Sequence, residues 1–314
     1  MIYPQQISKI GLGTWGVGGH FDANPANDDA TQVHAIAYTL QRGVNYVETV
    51  LTYAQGRSAF LLAQAIKYSQ KKRGDLFITL SIYHHDTYTP KDVCIKVEKF
   101  LNLYQSDYLD NLQLTMPLIT KLGYQTTHNL IYDLVKQGVI RYTGIVNPNL
   151  EGLQRYYAIM KDLLRFQETC YNFEVRLPTV KDGVIWGKQH NIRTICYQPL
   201  RRNRTEKRNW LILKELSAKY HKTQNQILLN WLISMGFLPI VKSTTKTHID
   251  ENLEACLFQL DANDIQKLNA FRVVNYTYPA VDWSNTKGGI TLAELPDLFD
   301  KDYDRQQKSF IRIR

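Results

Sequence analysis

The stretch GVIRYTGIVNPNLEGLQRYYAIMKDLLRFQETCYN, Gly138 to Asn172, sets the reading of the fold. Arg141 to Val146 is a short β-rich run and reads as a strand. Leu150 to Lys161 follows as a helical segment, and Arg165 to Cys170 reads as the next strand. The links between them are only a few residues long, which makes this a strand-helix-strand unit. Outward in both directions the same alternation continues. Upstream, strands are expected at Ile7–Gly13, Val44–Thr49, Leu76–Tyr83 and Tyr108–Leu114. Between them lie helices at Ala30–Arg42, Ser58–Tyr68, a segment opened by Thr89-Pro90, and His128–Gln137. Thr89 supplies an N-cap there and Pro90 the first helical position. Downstream come helix Val180–His190, strand Arg193–Tyr197, a long helical region Asn209–Met235, strand Leu238–Val241 and helix Ile249–Phe258. A last helix is capped by Asp261 and runs to Phe271.

Eight such units predict an α/β chain folded as one closed (β/α)₈ TIM barrel, a single domain over 1–314 with its barrel at about 7–271. A doubly wound open sheet is the competing topology, but it usually divides such a length into fewer strands and a second domain. The 314 residues, 44 % of them hydrophobic, suffice for one large core. No apolar run approaches the ~18 residues of a membrane span, and the opening MIYPQQISKIGLGTW has no signal pattern. Cys94, Cys170, Cys196 and Cys256 are far apart and form no CxxC pair, so reduced thiols and a cytoplasmic location are expected. The formal charge of +9 is dispersed and reads as a solvated surface rather than a nucleic-acid face. Residues 272–314, with Tyr276, Tyr278, Trp283, Gly288 and Gly289, read as an irregular tail, either a substrate lid or a cover for the barrel.

Seven motifs in order resemble the aldo-keto reductase family. They are GLGTWGVGG (Gly11 to Gly19), GVNYVETVLTYAQGRS (Gly43 to Ser58), DYLDNLQLTMP (Asp107 to Pro117), GVIRYTGIVNPN (Gly138 to Asn149), RFQETCYN (Arg165 to Asn172), ICYQPL (Ile195 to Leu200) and LPIVKSTTKTHIDENL (Leu238 to Leu253). The resemblance covers roughly residues 7 to 271 and places a site at the C-terminal ends of the strands. It implies NADP(H) as cofactor, a carbonyl or hydroxyl substrate, and a catalytic tetrad of tyrosine, lysine, aspartate and histidine. Tyr53 matches the tyrosine. Glu48 stands at the aspartate position, Ser81 at the lysine position and Thr115 at the histidine position. The resemblance therefore implies a degenerate tetrad. An unperturbed tyrosine has a pKa near ~10 and needs a neighbouring cation to work at neutral pH; Ser81 carries no charge. Glu48, buried without a lysine, is expected to have a raised pKa and to act as an acid itself.

The same resemblance implies a cofactor pocket. Thr14 and Trp15 match the nicotinamide-side turn, Asn147 and Gln167 the amides that bond the carboxamide, and Tyr197 the ring that stacks on nicotinamide. Val146 and Gln198 replace serines, and Leu200 follows in the expected Pro-Leu pair. Lys242 and Ser243 match the 2′-phosphate pair, assisted by Thr244. His248 replaces an arginine against adenine, and Glu251 and Asn252 match the adenine-contacting pair. Arg201, Arg202 and Arg204 follow the seventh strand and are expected near the pyrophosphate or as a solvated loop. The run Tyr83-His84-His85-Asp86 after the third strand is a second source of an acid-base group, a histidine; its His-His-Asp string also suggests a metal, but adjacent strand residues point opposite ways, so an exposed loop is expected and no metal. Three functions follow as expectations: an NADP(H)-dependent oxidoreductase with a non-standard acid-base arrangement, an inert NADP(H)-binding pseudoenzyme with a protein partner, or a non-redox enzyme in the same pocket.

Overall fold

The computed structural model describes residues 3–85, 87–174 and 178–271. The tail 272–314 and Asp86 lie outside the described residues, and so do the lid and cover readings of that tail.

Eight strands close into a barrel in sequence order, each parallel to its neighbours. They are β1 (Gly11–Gly13), β2 (Tyr46–Thr49), β3 (Phe77–Ile82), β4 (Leu109–Thr115), β5 (Ile140–Val146), β6 (Leu164–Cys170), β7 (Arg193–Tyr197) and β8 (Leu238–Val241). The helices are α1 (Asp29–Gln41), α2 (Arg57–Ser69), α3 (Pro90–Tyr104), α4 (Met116–Leu122), α5 (Tyr124–Lys136), α6 (Leu150–Met160), α7 (Pro178–Gln189), α8 (Arg204–Lys207), α9 (Leu211–Tyr220), α10 (Gln224–Ser234), α11 (Lys246–Glu254) and α12 (Ala262–Ala270).

Local chemistry explains most boundaries. Thr89 accepts from the Asp92 N–H in a capping box with Pro90 at the first helical position, and Asp261 caps α12 through the Asp264 N–H. Two expected helices differ. The long region Asn209–Met235 is two helices, because His221 turns left-handed (φ 52°) and Thr223 starts a new capping box with Gln226. The helix expected at His128–Gln137 begins at Tyr124, after a separate turn of helix, α4, that ends at Gly123 (φ 85°). The first strand, expected over Ile7–Gly13, is confined to Gly11–Gly13.

Strand alternation divides the side chains. Leu12, Val47, Ile78, Leu80, Leu112, Leu114 and Ile145 face the helices in the largest apolar cluster. A second cluster joins β6 to β8 with α9, α10 and α12 around Trp231. Inside the barrel, Tyr46, Phe77 and Phe166 form an aromatic layer with ring centroids 5.4–6.1 Å apart, packed with Ile195, Leu238 and Ile240. Gly11 is required beside this layer, since a Cβ there would sit 2.6 Å from Tyr46. Two residues farther along the same strands, the lumen becomes polar: Glu48, Thr79 and Glu168, then Ser81, with Asn111 and Gln113 from β4, all buried. No helix among the described residues is long and apolar enough to cross a membrane.

Candidate active site

The mouth of the barrel is built from the loops after β1 and β2. Ala54 N–H donates to the His20 carbonyl at 2.6 Å and Gln55 N–H to the Phe21 carbonyl at 3.1 Å. Ala54 and Gln55 reach these partners by adopting left-handed backbone angles (φ 50° and 55°). Trp15 is thereby packed edge-on against Tyr53, with centroids 4.7 Å apart, and lies beside His20 and Phe21. The hydroxyls of Tyr53 and Tyr83 approach to 3.5 Å. Thr14 is wholly buried; its hydroxyl donates to Thr49 at 3.2 Å and its carbonyl accepts from Ser58 at 3.0 Å.

Below the tyrosines runs a chain of hydrogen bonds. The Ser81 hydroxyl donates to Glu48 Oε1 at 2.9 Å and accepts from Gln113 Nε2 at 2.9 Å. Gln113 Nε2 also donates to Glu168 Oε2. All four side chains are at most 2 % exposed. Among the described residues neither carboxyl has an ion-pair partner. Burial therefore dominates: it pushes Glu48 up to about 7 against the Ser81 hydrogen bond. Glu168 is raised well above the ordinary range by burial and then by Glu48, with the Gln113 bond opposing. Tyr53 is raised by burial first, then by Tyr83 and Glu48, so it stays neutral. Thr115, at the end of β4, has a buried hydroxyl with no hydrogen-bond partner among the described residues.

On the opposite wall the Tyr197 hydroxyl donates to Asn147 Oδ1 at 3.1 Å, and Asn147 N–H donates to the Glu168 carbonyl at 2.7 Å. Lys242 Nζ, at the end of β8, reaches across to the Gly16 carbonyl at 3.1 Å. Burial lowers the Lys242 pKa, and the nearby Arg202 charge lowers it further. His20 is lowered by burial, then by Arg202 and Lys242. Loops after β1, β7 and β8 thus gather three basic side chains, and among the described residues Lys242 has no carboxylate partner. Such a donor set fits phosphate groups. Lys242, Ser243 and Asn252 also line a small cavity with Gly11, Val241 and Leu253. Thr244 and His248 are exposed.

Several residues expected in the cofactor pocket are turned elsewhere. Gln167 faces out of the lumen: its amide donates to the Gly183 carbonyl and the Thr194 hydroxyl, each at 3.1 Å, between β6 and α7. The neighbours Phe166 and Glu168 take the inward positions, so strand parity corrects the expected carboxamide contact of Gln167. Arg201 is buried and paired with Glu174, which also accepts from Trp210 Nε1 at 3.0 Å, so Arg201 ties two loops together instead of meeting a pyrophosphate. Glu251 accepts from the Thr223 hydroxyl on the neighbouring helix cap. Leu200 packs into the second apolar cluster, and Gln198 occupies a left-handed turn (φ 53°). The rings of His84 and His85 are 4.8 Å apart, and among the described residues no three His, Cys, Asp or Glu side chains gather as a metal would require.

Sequence reasoning overlooked Gln113 and Glu168, and named Tyr83 only as the first residue of the histidine run. The signal for both was present in the period of two, since Gln113 shares the face of Thr115, and Glu168 that of Phe166.

Comparison with known proteins agrees with the barrel fold. The profile of the Aldo/keto reductase family matches residues 9–273. Methylglyoxal reductase DkgA of Escherichia coli is 25 % identical over 264 residues, 83 % of this chain and 88 % of that protein. Aldose reductase C of Dictyostelium discoideum is 26 % identical over 294 residues, 84 % of this chain and 86 % of its own. Among solved structures, the thermostable aldo-keto reductase Tm1743, in complex with the inhibitor epalrestat, superposes with a TM-score of 0.76 at 26 % identity, covering 84 % of this chain and 94 % of its own. A Klebsiella pneumoniae aldo/keto reductase, in complex with NADP and acetate, gives 0.71 at 25 % identity, covering 84 % and 90 %.

Proposed function

The chain belongs to the aldo/keto reductase family, and from that premise we propose that it is an NADP(H)-dependent oxidoreductase whose acid is Glu48, working through Tyr53. The observation that carries this reading is the buried Glu48, bonded to Ser81 and without a cation beside it among the described residues, its pKa pushed up to about 7 by burial. A carboxyl with that pKa is half protonated at neutral pH and suited to general acid-base work.

When bound, NADPH supplies the hydride to a carbonyl carbon. Lys242, with Arg202 and His20 near it, would hold phosphate groups, and Asn147 with Tyr197 would hold the nicotinamide end. The neutral Tyr53 hydroxyl donates to the substrate oxygen, and the Glu48 carboxyl provides the proton that makes the alcohol. The Thr115 hydroxyl, without a hydrogen-bond partner among the described residues, orients the carbonyl in place of a histidine. A small reactive carbonyl is the first substrate class to assay, because the relative DkgA is a methylglyoxal reductase.

The test is NADPH oxidation with methylglyoxal and simple aldehydes, preceded by a titration of cofactor binding. Reduction requires the protonated acid, so the rate is expected to fall as pH rises through about 7. Glu48→Gln is expected to lower turnover by ~10²-fold or more while leaving cofactor affinity unchanged. Unchanged turnover in that variant would remove Glu48 from the mechanism. Tight NADPH binding with no turnover across the panel would leave an inert cofactor-binding protein.

A further inference from the structure

Two carboxyl groups share the lumen, and Glu48 alone does not account for the second. Two ionised carboxylates at this depth would each carry a desolvation penalty and repel each other. The donors reaching them are a hydroxyl and an amide, both neutral. Glu48 takes the hydroxyl of Ser81, which is itself polarised by the Gln113 N–H. Among the described residues Glu168 takes only the second N–H of the same amide.

Gln113 crosses from β4 to β6 over a gap in β5. Gly144 lies opposite it in register, and a Cβ at Gly144 would sit 2.8 Å from Gln113 Oε1 and 2.9 Å from its Cβ. The bare backbone at 144 is what lets one amide touch both Ser81 and Glu168.

We infer that Gln113 and Glu168 are positioning residues that complete the acid unit of Glu48: Glu168 keeps its proton through neutral pH, and Gln113 holds the four-residue chain so that Glu48 alone exchanges one. When Glu48 gives up its proton the unit passes from neutral to singly negative, and the proton returns to Glu48 from solvent. The neutral Glu168 prevents a second charge from forming beside it. This role deepens the oxidoreductase reading and rests on it for its catalytic use.

The other titratable groups near the unit are Tyr46 below it, Tyr53 and Tyr83 above it, Cys170 on β6, and Cys196 and Tyr197 on β7. Burial raises all six and keeps them neutral across this range. Arg193, near Tyr46, is the charged residue at the far end of the lumen. The lumen-facing residues Gly11 and Gly13 of β1, Gly144 and Val146 of β5, and Leu238 and Ile240 of β8 contribute no charge, and Tyr142 of β5 stacks on Phe77 in the aromatic layer below.

The experiment is pH-dependent infrared difference spectroscopy on the full chain, following the C=O stretch of protonated carboxyl groups, with the rate profile measured in parallel. The wild type is expected to lose one such band with a midpoint at about 7 and to keep a second well above it. Glu168→Gln imitates the protonated acid; it should delete the persistent band and leave the midpoint within about half a unit. Gly144→Ala displaces Gln113 and should raise the midpoint by about half a unit to one unit, as Ser81 loses its orientation. A midpoint that falls by about one unit or more in Glu168→Gln would show that Glu168 is ionised, and would overturn the assignment. An unmoved midpoint in Gly144→Ala would remove Gln113 from it. If Glu168→Gln does not fold, the wild-type spectrum decides alone: no persistent band overturns the role of Glu168. The bands are read without cofactor or substrate, so failure of the oxidoreductase reading would show separately, as absent turnover with the bands intact.

Discussion

Between pH 4.5 and about 7 the folded chain holds a proton on Glu48 that the unfolded chain has released, because burial raises the folded pKa from 4.5 to about 7. Below that window the group is protonated in both states and carries no penalty. Above it the folded state must hold a buried carboxylate, so stability falls as pH rises through the window. At ~1.4 kcal/mol per pKa unit the loss is about 3 kcal/mol. Relative to Glu48→Gln, the wild type is therefore expected to lose about that much across the window, measured by urea unfolding at several pH values. Parallel pH dependences in the two proteins would contradict the buried-acid account. The position of Glu48 was legible in the sequence, and so was its capacity to titrate high. Ser81 was named in the same site, but Gln113 and Glu168, which complete the hydrogen-bonded chain, were not. Gln167 was misplaced for a related reason: a motif match fixes a position along the chain, but one step along a strand reverses the face, and only the register decides which neighbour looks inward.

Elements carried clearer local signals. Thr89-Pro90 and Asp261 announced their helices because a cap needs only the next three residues. Thr223 gave the same signal and was overlooked within a long helical pattern, since the two helices it separates share their apolar character. Its hydroxyl accepts from Gln226 N–H at 3.2 Å and donates to Glu251. Thr223→Ala is expected to cost about 1 kcal/mol in chemical denaturation by loss of the cap, with Thr223→Ser close to wild type. An alanine variant as stable as wild type would show that packing alone sets the boundary of α10.

For the whole molecule, the mouth is the place where binding and stability meet. A cofactor that binds only the folded barrel adds about 2.7 kcal/mol when present at ~100 times its Kd. NADPH is expected to raise the unfolding temperature more than NADH does. Lys242→Ala is expected to abolish most of that difference, since a hydrogen bond to a charged group contributes about 1.5–3 kcal/mol. Calorimetric titration of both cofactors against both proteins checks this. An unchanged preference in Lys242→Ala would assign the phosphate to other residues. The dispersed charge of +9 bears on none of this; what matters is that Lys242, Arg202 and His20, distant in sequence, converge at one rim.

The sequence by itself determined the order of strands and helices, the closure of eight parallel units into a barrel, and the family. Those properties reside in periodicity, caps and short motifs, which act over a few residues. Only the tertiary structure decided that Gln113 and Glu168 join Glu48 and Ser81 in the lumen, and which of these groups hold a proton. Gln113 and Glu168 are 55 positions apart, and Ser81 and Glu48 are 33 apart. Their meeting depends on barrel register and on the bare Gly144 between strands. Their protonation depends on burial, which is a property of the closed barrel.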